Sequence, residues 1–590
     1  MVFRLRLCLI FVAALAAAPL AAQKRPLAHA DYDAWRTVSA PALSRDGRWM
    51  AYSFMPQEGD GALGTGDLRP GRETRHAVGA LPPPPVPEPG SETPPPPRTI
   101  RVQFTSDNGW LVAGTYPAKA ETDAARKARK KPAEMPKTGA LIVNLATGEA
   151  ARVDNVKSFQ VPEKGGAWAA FHKHPAGGEA AAEGGDSSSG ETPGSELTLR
   201  HLPSGRERTF ADASEYGFTR DALLWFTVSA KNQDDNGLFY LQAGLEGEPA
   251  PILKGKGKYQ KVAWDRAQTR LAFVSTREDA EAKTPQWKAY LWKRNGGAPA
   301  AALPVSAAGL VVSNKGTLAF ARSGGRLFIP LAPPPKPAAE KKEDAPAAER
   351  VNLDLWHYRD DVVQPMQRIR ANQERNRTYR GVFHLDTNTF TPVASPEMPG
   401  MIPDDAGLRA FGLDDRPYRR LIDYDSSYTD VFVADTRTGA RRKALEKMRG
   451  SGQSAPISFS PDGGWGLYFQ GGHWHALNTA TLEKRNLTAG LGVSFANEDD
   501  DTPAEAGSYG SAGWTRDGQS ALLYDKFDVW RVYPDGPAPQ EPPAAPGRPL
   551  RCAERGGAAS LLLCRCRADP GTERDRGRRR PNPYRRMRHP

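Results

Sequence analysis

Two strings in the 590-residue sequence come nearest to a serine nucleophile, GQSAP from Gly452 and YGSAG from Tyr509. A serine that transfers acyl groups from an α/β sheet sits in G-x-S-x-G, whose sharp strand-to-helix turn presents Oγ beside backbone donors for the oxyanion. The first string fails at its last position and the second at its first, and no HGG-type oxyanion loop occurs. His172 with His174, and His473 with His475, are H-x-H pairs on expected strands, where alternate residues face the same way. They could share a metal, but no further His or carboxylate is assignable beside them, so surface or sheet-interior histidines are expected. The run Glu498–Asp501 (EDDD) gathers the oxygens a hard cation or a peptide amine wants, and is read as a solvated loop. Cys564 and Cys566 form a C-x-C without the further Cys or His pair of a structural metal site. The basic stretch KARKKPAEMPK from Lys127 could meet an anionic partner and is likewise read as a solvated loop. No P-loop or dinucleotide fingerprint stands in a βαβ context. No catalytic, cofactor-binding or metal-ligating residue is therefore assigned, and no cofactor is expected.

The elements around these residues repeat. An apolar or aromatic position leads into a short polar turn, often with Asp and Gly, and alternating apolar residues follow. Strong copies are LSRDGRWMAYSF from Leu43, FTSDNGWLVAGTY from Phe104, FSPDGGWGLYF from Phe459 and WTRDGQSALLY from Trp514; weaker ones start near Phe159, Phe218, Val262, Val311 and Pro403. Asp-Gly and Asn-Gly favour tight hairpin turns, because Gly accepts positive φ and Asp or Asn tolerates it. A second signal, a strand ending in a T-G or S-G turn, follows many of these, as in LATGEAARV from Leu145, LPSGRERTF from Leu202 and DTRTGARRKAL from Asp435. Each pair of signals describes two hairpins, hence a four-stranded antiparallel sheet. Strong starts recur about every 44 to 61 residues, with a longer gap near 330–400. One such sheet cannot bury both faces and must stack on its neighbours, so the expected fold is all-β, a seven- or eight-bladed β-propeller of four-stranded antiparallel blades. Trp110, Trp264, Trp465 and Trp514 are read as occupying equivalent core places in the repeat.

Composition agrees. The chain is 39% hydrophobic with 13 Trp, 17 Tyr and 21 Phe, far more large apolar surface than a disordered chain carries. Its net charge of +12 is concentrated at the ends: residues 537–590 hold 13 Arg and no Lys against five acids, and residues 23–536 are close to neutral. The body is thus not expected to bind nucleic acid. Cys8, Cys552, Cys564 and Cys566 all lie outside the body, which excludes a disulfide framework there. Arg4 and Arg6, an apolar stretch from Leu7 to Leu15 and small residues to Ala22 make residues 1–22 an expected signal peptide, implying a periplasmic or secreted body with no membrane span after cleavage. Low-complexity stretches at 81–98, 119–137, 175–196 and 331–349 read as loops, and a short surface helix is expected after Pro365, with Met366, Ile369 and Gln373 on one face.

Four segments carry a family resemblance: LAHADYDAWRTVSAPALSRDGRWMAYSFMPQEGDG, RKKPAEMPKTGALIVNLATGEAARVDNVKSFQVPEKGGAW, the WHYRDD…QPMQ…NQERNRTYRGVFHL block, and YGSAGWTRDGQSALLYDKFDVW. Together they resemble the N-terminal half of large exported bacterial members of the prolyl oligopeptidase family of serine peptidases, from about residue 26 to about 534. The resemblance implies a seven- or eight-bladed propeller that gates a C-terminal α/β-hydrolase with a Ser, Asp and His triad, admitting peptides and excluding folded proteins. It also implies that peptide partners are reached through a catalytic half that the sequence after residue 534 does not encode. Nor is there a D-W-x-Y-E-E-E motif, with which dipeptidyl-peptidase relatives hold a substrate amino terminus. Residues 537–590, rich in Arg and Pro, read as the product of a shifted frame in GC-rich coding DNA, or else as a basic tail that meets nucleic acid or anionic lipid electrostatically. The expectation is a substrate-gating propeller portion, catalytically incompetent as it stands; the alternative is a stand-alone TolB-like propeller that serves as a periplasmic scaffold for a protein partner.

Overall fold

The computed structural model describes residues 27–33, 35–69, 71–83, 98–175, 194–244, 246–335, 355–450 and 456–536. The expected signal peptide, the Arg-rich tail, all four cysteines, GQSAP except its Pro456, and most of the low-complexity stretches at 81–98, 175–196 and 331–349 lie outside them. The described chain is nearly all β, with three α-helices, α1 (His29–Asp33), α2 (Lys119–Lys127) and α3 (Gln364–Arg375).

The repeated turn motif builds itself from local bonds. In Ser460-Pro461-Asp462-Gly463-Gly464-Trp465, Ser460 Oγ donates to Asp462 Oδ1 at 2.5 Å, the same oxygen accepts from Gly464 N at 3.1 Å, and Trp465 N returns to Ser460 Oγ at 2.9 Å. The same arrangement forms at Ser44-x-Asp46, Thr105-x-Asp107 and Thr515-x-Asp517. A hydroxyl two residues before an Asp thus satisfies the backbone groups that the reversal would orphan. Gly463, at φ +73°, is required twice over: a Cβ there would lie 2.4 Å from Asp404 Oδ2 in the neighbouring turn. Ser460 is 1% exposed, so Ser460→Ala strands the Trp465 N–H; we expect a loss of about 1–2 kcal/mol in denaturant unfolding.

These turns start successive antiparallel sheets. Eight sheets are present among the described residues, mostly of four strands in sequence order, and one has seven. That sheet divides inside its longest strand, Glu207–Phe218, where pairing shifts between Ala213 and Tyr216 and the first half pairs backwards while the second pairs forwards. Counted so, nine meander units follow one another, against an expectation of seven or eight, and eight of the nine turn starts seen in the sequence fall at the first reversal of one unit; the one near Val311 instead opens the broken first strand of unit six, Val311–Val312 and Ala319–Phe320, whose reversal lies at 321–325. The ninth has three strands, Ser511–Trp514, Ala521–Tyr524 and Val529–Val532.

The units pack face to face in chain order. Leu63 of unit one meets Leu111 and Leu141 of unit two, Ile252 of unit four meets Phe273 of unit five, and Trp465 of unit eight meets Phe495 and Leu523 beside unit nine. Trp110, Trp264, Trp465 and Trp514 pack in these interfaces as expected, but not in equivalent places. Trp264 and Trp514 end a first strand, whereas Trp110 and Trp465 begin a second one, across the turn. Both positions border the same reversal, which is why sequence spacing merges them.

Two local expectations differ in outcome. The helix after Pro365 is α3, with Pro365 in its first turn, where a missing N–H costs nothing. The stretch 119–137, read as a loop, begins with α2: Ala, Glu and Lys favour helix, Ala125 is buried, and Lys119 pairs with Asp123 one turn on. Among the described residues no helix is long and apolar enough to cross a membrane.

Candidate functional site

Because each strand in a meander reverses the last, alternate connections emerge on the same rim. The first-to-second and third-to-fourth connections are all four to seven residues long. Every longer connection leaves from the opposite rim, including 80–101, 116–138, 174–194, 333–378, 415–427 and 487–510. The short-turn rim is sewn from unit to unit: Arg45 N to Asn108 Oδ1 at 3.1 Å, Arg220 N to Gln268 Oε1 at 2.7 Å, Arg270 Nη1 to Gly324 O at 3.0 Å, Arg322 to Asp405 at 3.0 Å and Arg409 Nη1 to Gly463 O at 3.0 Å. One rim is therefore tied down and the other carries the variable loops, where recognition residues are usually held on a rigid scaffold.

A nucleophile–base pair does exist in the body. Strand Trp168–Lys173 pairs with Ser195–His201, and this brings His172 Nε2 within 2.8 Å of Ser195 Oγ. Its wiring is wrong for catalysis. His172 Nε2 also lies 2.9 Å from the Ala213 carbonyl, which can only accept, so that nitrogen carries the proton. Ser195 Oγ meanwhile donates to Lys173 O at 2.7 Å. A general base must receive the serine proton, and here the imidazole has no free lone pair on that side. Both side chains are buried, and burial pushes the His172 pKa below its ordinary value, keeping the ring neutral. The pair clamps the strand that units three and four share. Tyr216 completes the clamp, bonded to Ser158 Oγ at 2.9 Å, with burial pushing its phenol up to about 12.

The other candidates disperse. His174 Nε2 bonds Thr138 Oγ1 at 2.9 Å, His473 Nδ1 bonds Thr488 Oγ1 at 3.2 Å, and His475 donates from Nδ1 to the His473 carbonyl at 3.1 Å while its ring stacks on Tyr468. In the acidic run, Asp499 pairs with Lys526 at 2.6 Å and Asp500 accepts from Thr502 Oγ1 at 2.7 Å, so its oxygens do not converge on one point. Ser511 of YGSAG donates to Leu522 O at 2.9 Å as part of a strand bulge. Among the described residues no three His, Cys, Asp or Glu side chains gather as metal ligands would.

Sequence reasoning missed Ser195 and Asp430. Asp430, 4% exposed, accepts from Tyr418 Oη at 2.7 Å, Lys443 Nζ at 2.8 Å and Lys447 N at 3.0 Å, and so fastens the 3-10 turn Arg416–Asp423 to the long-loop rim. Burial pushes its carboxyl up, but the Lys443 cation with the Lys447 N–H and the Tyr418 hydroxyl holds it below the usual range. No motif announces either residue, because their partners come from distant strands.

The chain matches no protein-family model and no curated protein sequence. Among solved structures it is similar to a chain from a study of two prolyl endopeptidases, at 12% identity and TM-score 0.29, over 75% of this chain and 55% of that one. It is also similar to the β-propeller domain of the Trilobed protease from Pyrococcus furiosus, at 10% identity and TM-score 0.28, over 70% of this chain and 100% of that domain. TolB from Acinetobacter baumannii is a third, at 8% identity and TM-score 0.22, over 59% and 75%. The chain thus spans about half the length of the prolyl endopeptidase structure.

Proposed function

We propose that the chain is the substrate-gating propeller portion of an exported, prolyl-oligopeptidase-like serine peptidase, with peptide hydrolysis carried by a half outside this sequence. The observation that carries this reading is the asymmetry of the two rims: nine stacked meanders fastened on one side and bearing all their long loops on the other. The buried contact of Ser195 with His172 is wired as a clamp, which fits a part that filters peptides and leaves acyl transfer to another domain.

The two ends of the stack are proposed to meet and close the ring. Unit one leaves Trp35, Val38 and Leu43 exposed on an open face, with Phe54 sandwiched between Arg36 and Arg75, and unit nine is one strand short. An apolar sheet face of this kind needs a cover.

The purified chain is expected to release p-nitroaniline from a proline-containing chromogenic peptide at the buffer rate. The coding DNA beyond codon 534, translated in all three frames, is expected to open into an HGG-type loop and a G-x-S-x-G elbow. Joining that frame to residues 23–536 should then restore hydrolysis. Turnover by the present chain, or three frames without an elbow, would overturn the reading. The second outcome would favour a periplasmic TolB-like scaffold.

A further inference from the structure

At the long-loop rim, units six and seven part around a cavity of ≈ 100 Å³ lined by Thr317, Pro330, Thr378, Arg380, Pro399 and Met401. Arg380 opens the third strand of unit six, Tyr379–His384, opposite Pro330 in the register, and points across to the first strand of unit seven, where Nη1 reaches the Met401 carbonyl at 3.3 Å. Its guanidinium stands 5.8 Å from the Phe328 ring centroid. No carboxylate among the described residues pairs with it, and burial alone lowers its pKa.

This arrangement leaves a cation with donors to spare. A guanidinium offers five donors in a planar fork, and one long bond to a carbonyl uses one of them. The Thr317 and Thr378 hydroxyls have no hydrogen-bond partner among the described residues, so three polar groups with donors to spare edge one small space. Pro330 and Met401 are buried apolar walls, and Thr317 is exposed, so solvent and small solutes enter from its side. Glycine keeps the space open beside them: a Cβ on Gly316 would come within 2.5 Å of Thr378 Oγ1. At roughly 30 Å³ per water the cavity holds about three waters, or one group of carboxylate size.

We propose that this cavity is an anion site in which Arg380 binds a carboxylate through its planar fork, with the Thr317 and Thr378 hydroxyls as further donors. The fork matches the two oxygens of a carboxylate, and the surrounding low-dielectric walls strengthen such a bond. A small free carboxylate and the C-terminus of a peptide present the same group, and the site does not depend on the peptidase reading.

The test is a thermal-shift and calorimetric titration of the full chain with acetate, with N-acetylglycylglycine and, as the neutral isostere, with acetamide, all at constant ionic strength. Acetate is expected to raise the melting temperature and acetamide to leave it unchanged. Tighter binding of N-acetylglycylglycine than of acetate would assign the site to peptide C-termini, and equal or weaker binding to small carboxylates; either supports the anion site. Arg380→Gln should lower acetate affinity at least tenfold while keeping the native circular dichroism, and Arg380→Lys, which keeps the charge without the fork, should fall between. Equal shifts with acetate and acetamide, or unchanged acetate affinity in whichever variant folds, would overturn the proposal.

Discussion

Phe411→Ala is expected to destabilise the chain by about 3–5 kcal/mol, the range for emptying a fully buried aromatic site. Phe411 is 0% exposed on strand Arg409–Asp414 of unit seven, and its ring stacks on Phe459 of unit eight at 3.8 Å between centroids and 13° between planes. The fit leaves no spare volume: a Cβ on Gly466 would come within 2.7 Å of both Phe411 and Ile457. The surrounding backbone is fixed by ladders on both sides, so it cannot collapse into the space a truncated ring would leave. In a stack whose stability is a sum of units and nearest-neighbour interfaces, the damage should stay local. Denaturant unfolding should show an early phase, and limited proteolysis should cut first in units seven to nine. A shift below about 1 kcal/mol would mean that units seven and eight do not share this interface.

Acidification from pH 7 to pH 5 is expected to destabilise the fold through its buried histidines. His76, His172, His174 and His475 are each pushed below their ordinary pKa, chiefly by burial, and Lys137 and Lys157 add to this at His174. The unfolded chain therefore binds protons more tightly than the folded one at these sites. Their contribution is fully present above the unfolded histidine pKa of about 6.5 and is lost as pH falls through that value toward the depressed folded one. Each histidine can add a slope of at most about 1.4 kcal/mol per pH unit in that window. His172 should dominate, since a protonated ring would have to keep its bond to Ala213 O inside a clamp with no counter-charge. Carboxylates act elsewhere: Asp221, held to about 2 by Arg294, keeps its charge throughout this range. Melting temperature measured against pH should fall most steeply below 6.5, and His172→Gln should flatten the slope. A curve flat between pH 7 and pH 5 would refute the assignment.

How much of this was legible in the sequence follows from the range of each interaction. Eight of the nine first reversals were visible because residues such as Ser460, Asp462 and Trp465 bond within five residues, a distance at which residue type and spacing are sufficient; that of unit six was missed. Helix α3 was visible for the same reason, through Pro365 and the run of helix-favouring residues behind it. Helix α2 was not, because a Lys- and Ala-rich stretch is compatible with helix or loop until Ala125 finds a surface to pack on. The candidate sites fared differently. His172 was noted for its neighbour His174, two residues away, whereas its actual partners, Ser195 and Ala213, lie 23 and 41 residues on. Arg380 drew no notice at all, since nothing local distinguishes it from the other arginines.

By itself, then, the sequence determined the nearly all-β class, the repeating antiparallel unit, the place of most first reversals and the lack of a nucleophile elbow. Those properties rest on backbone conformation and side-chain bonds between near neighbours, which the chain carries wherever it goes. Only the tertiary structure decided that the strand Glu207–Phe218 serves two units, that all the long connections share one rim, that Ser195 and His172 form a clamp, and that Arg380 faces a cavity without a carboxylate. Each of those depends on which sheet faces which, and stacking is driven by non-directional apolar burial that many sequences satisfy equally well.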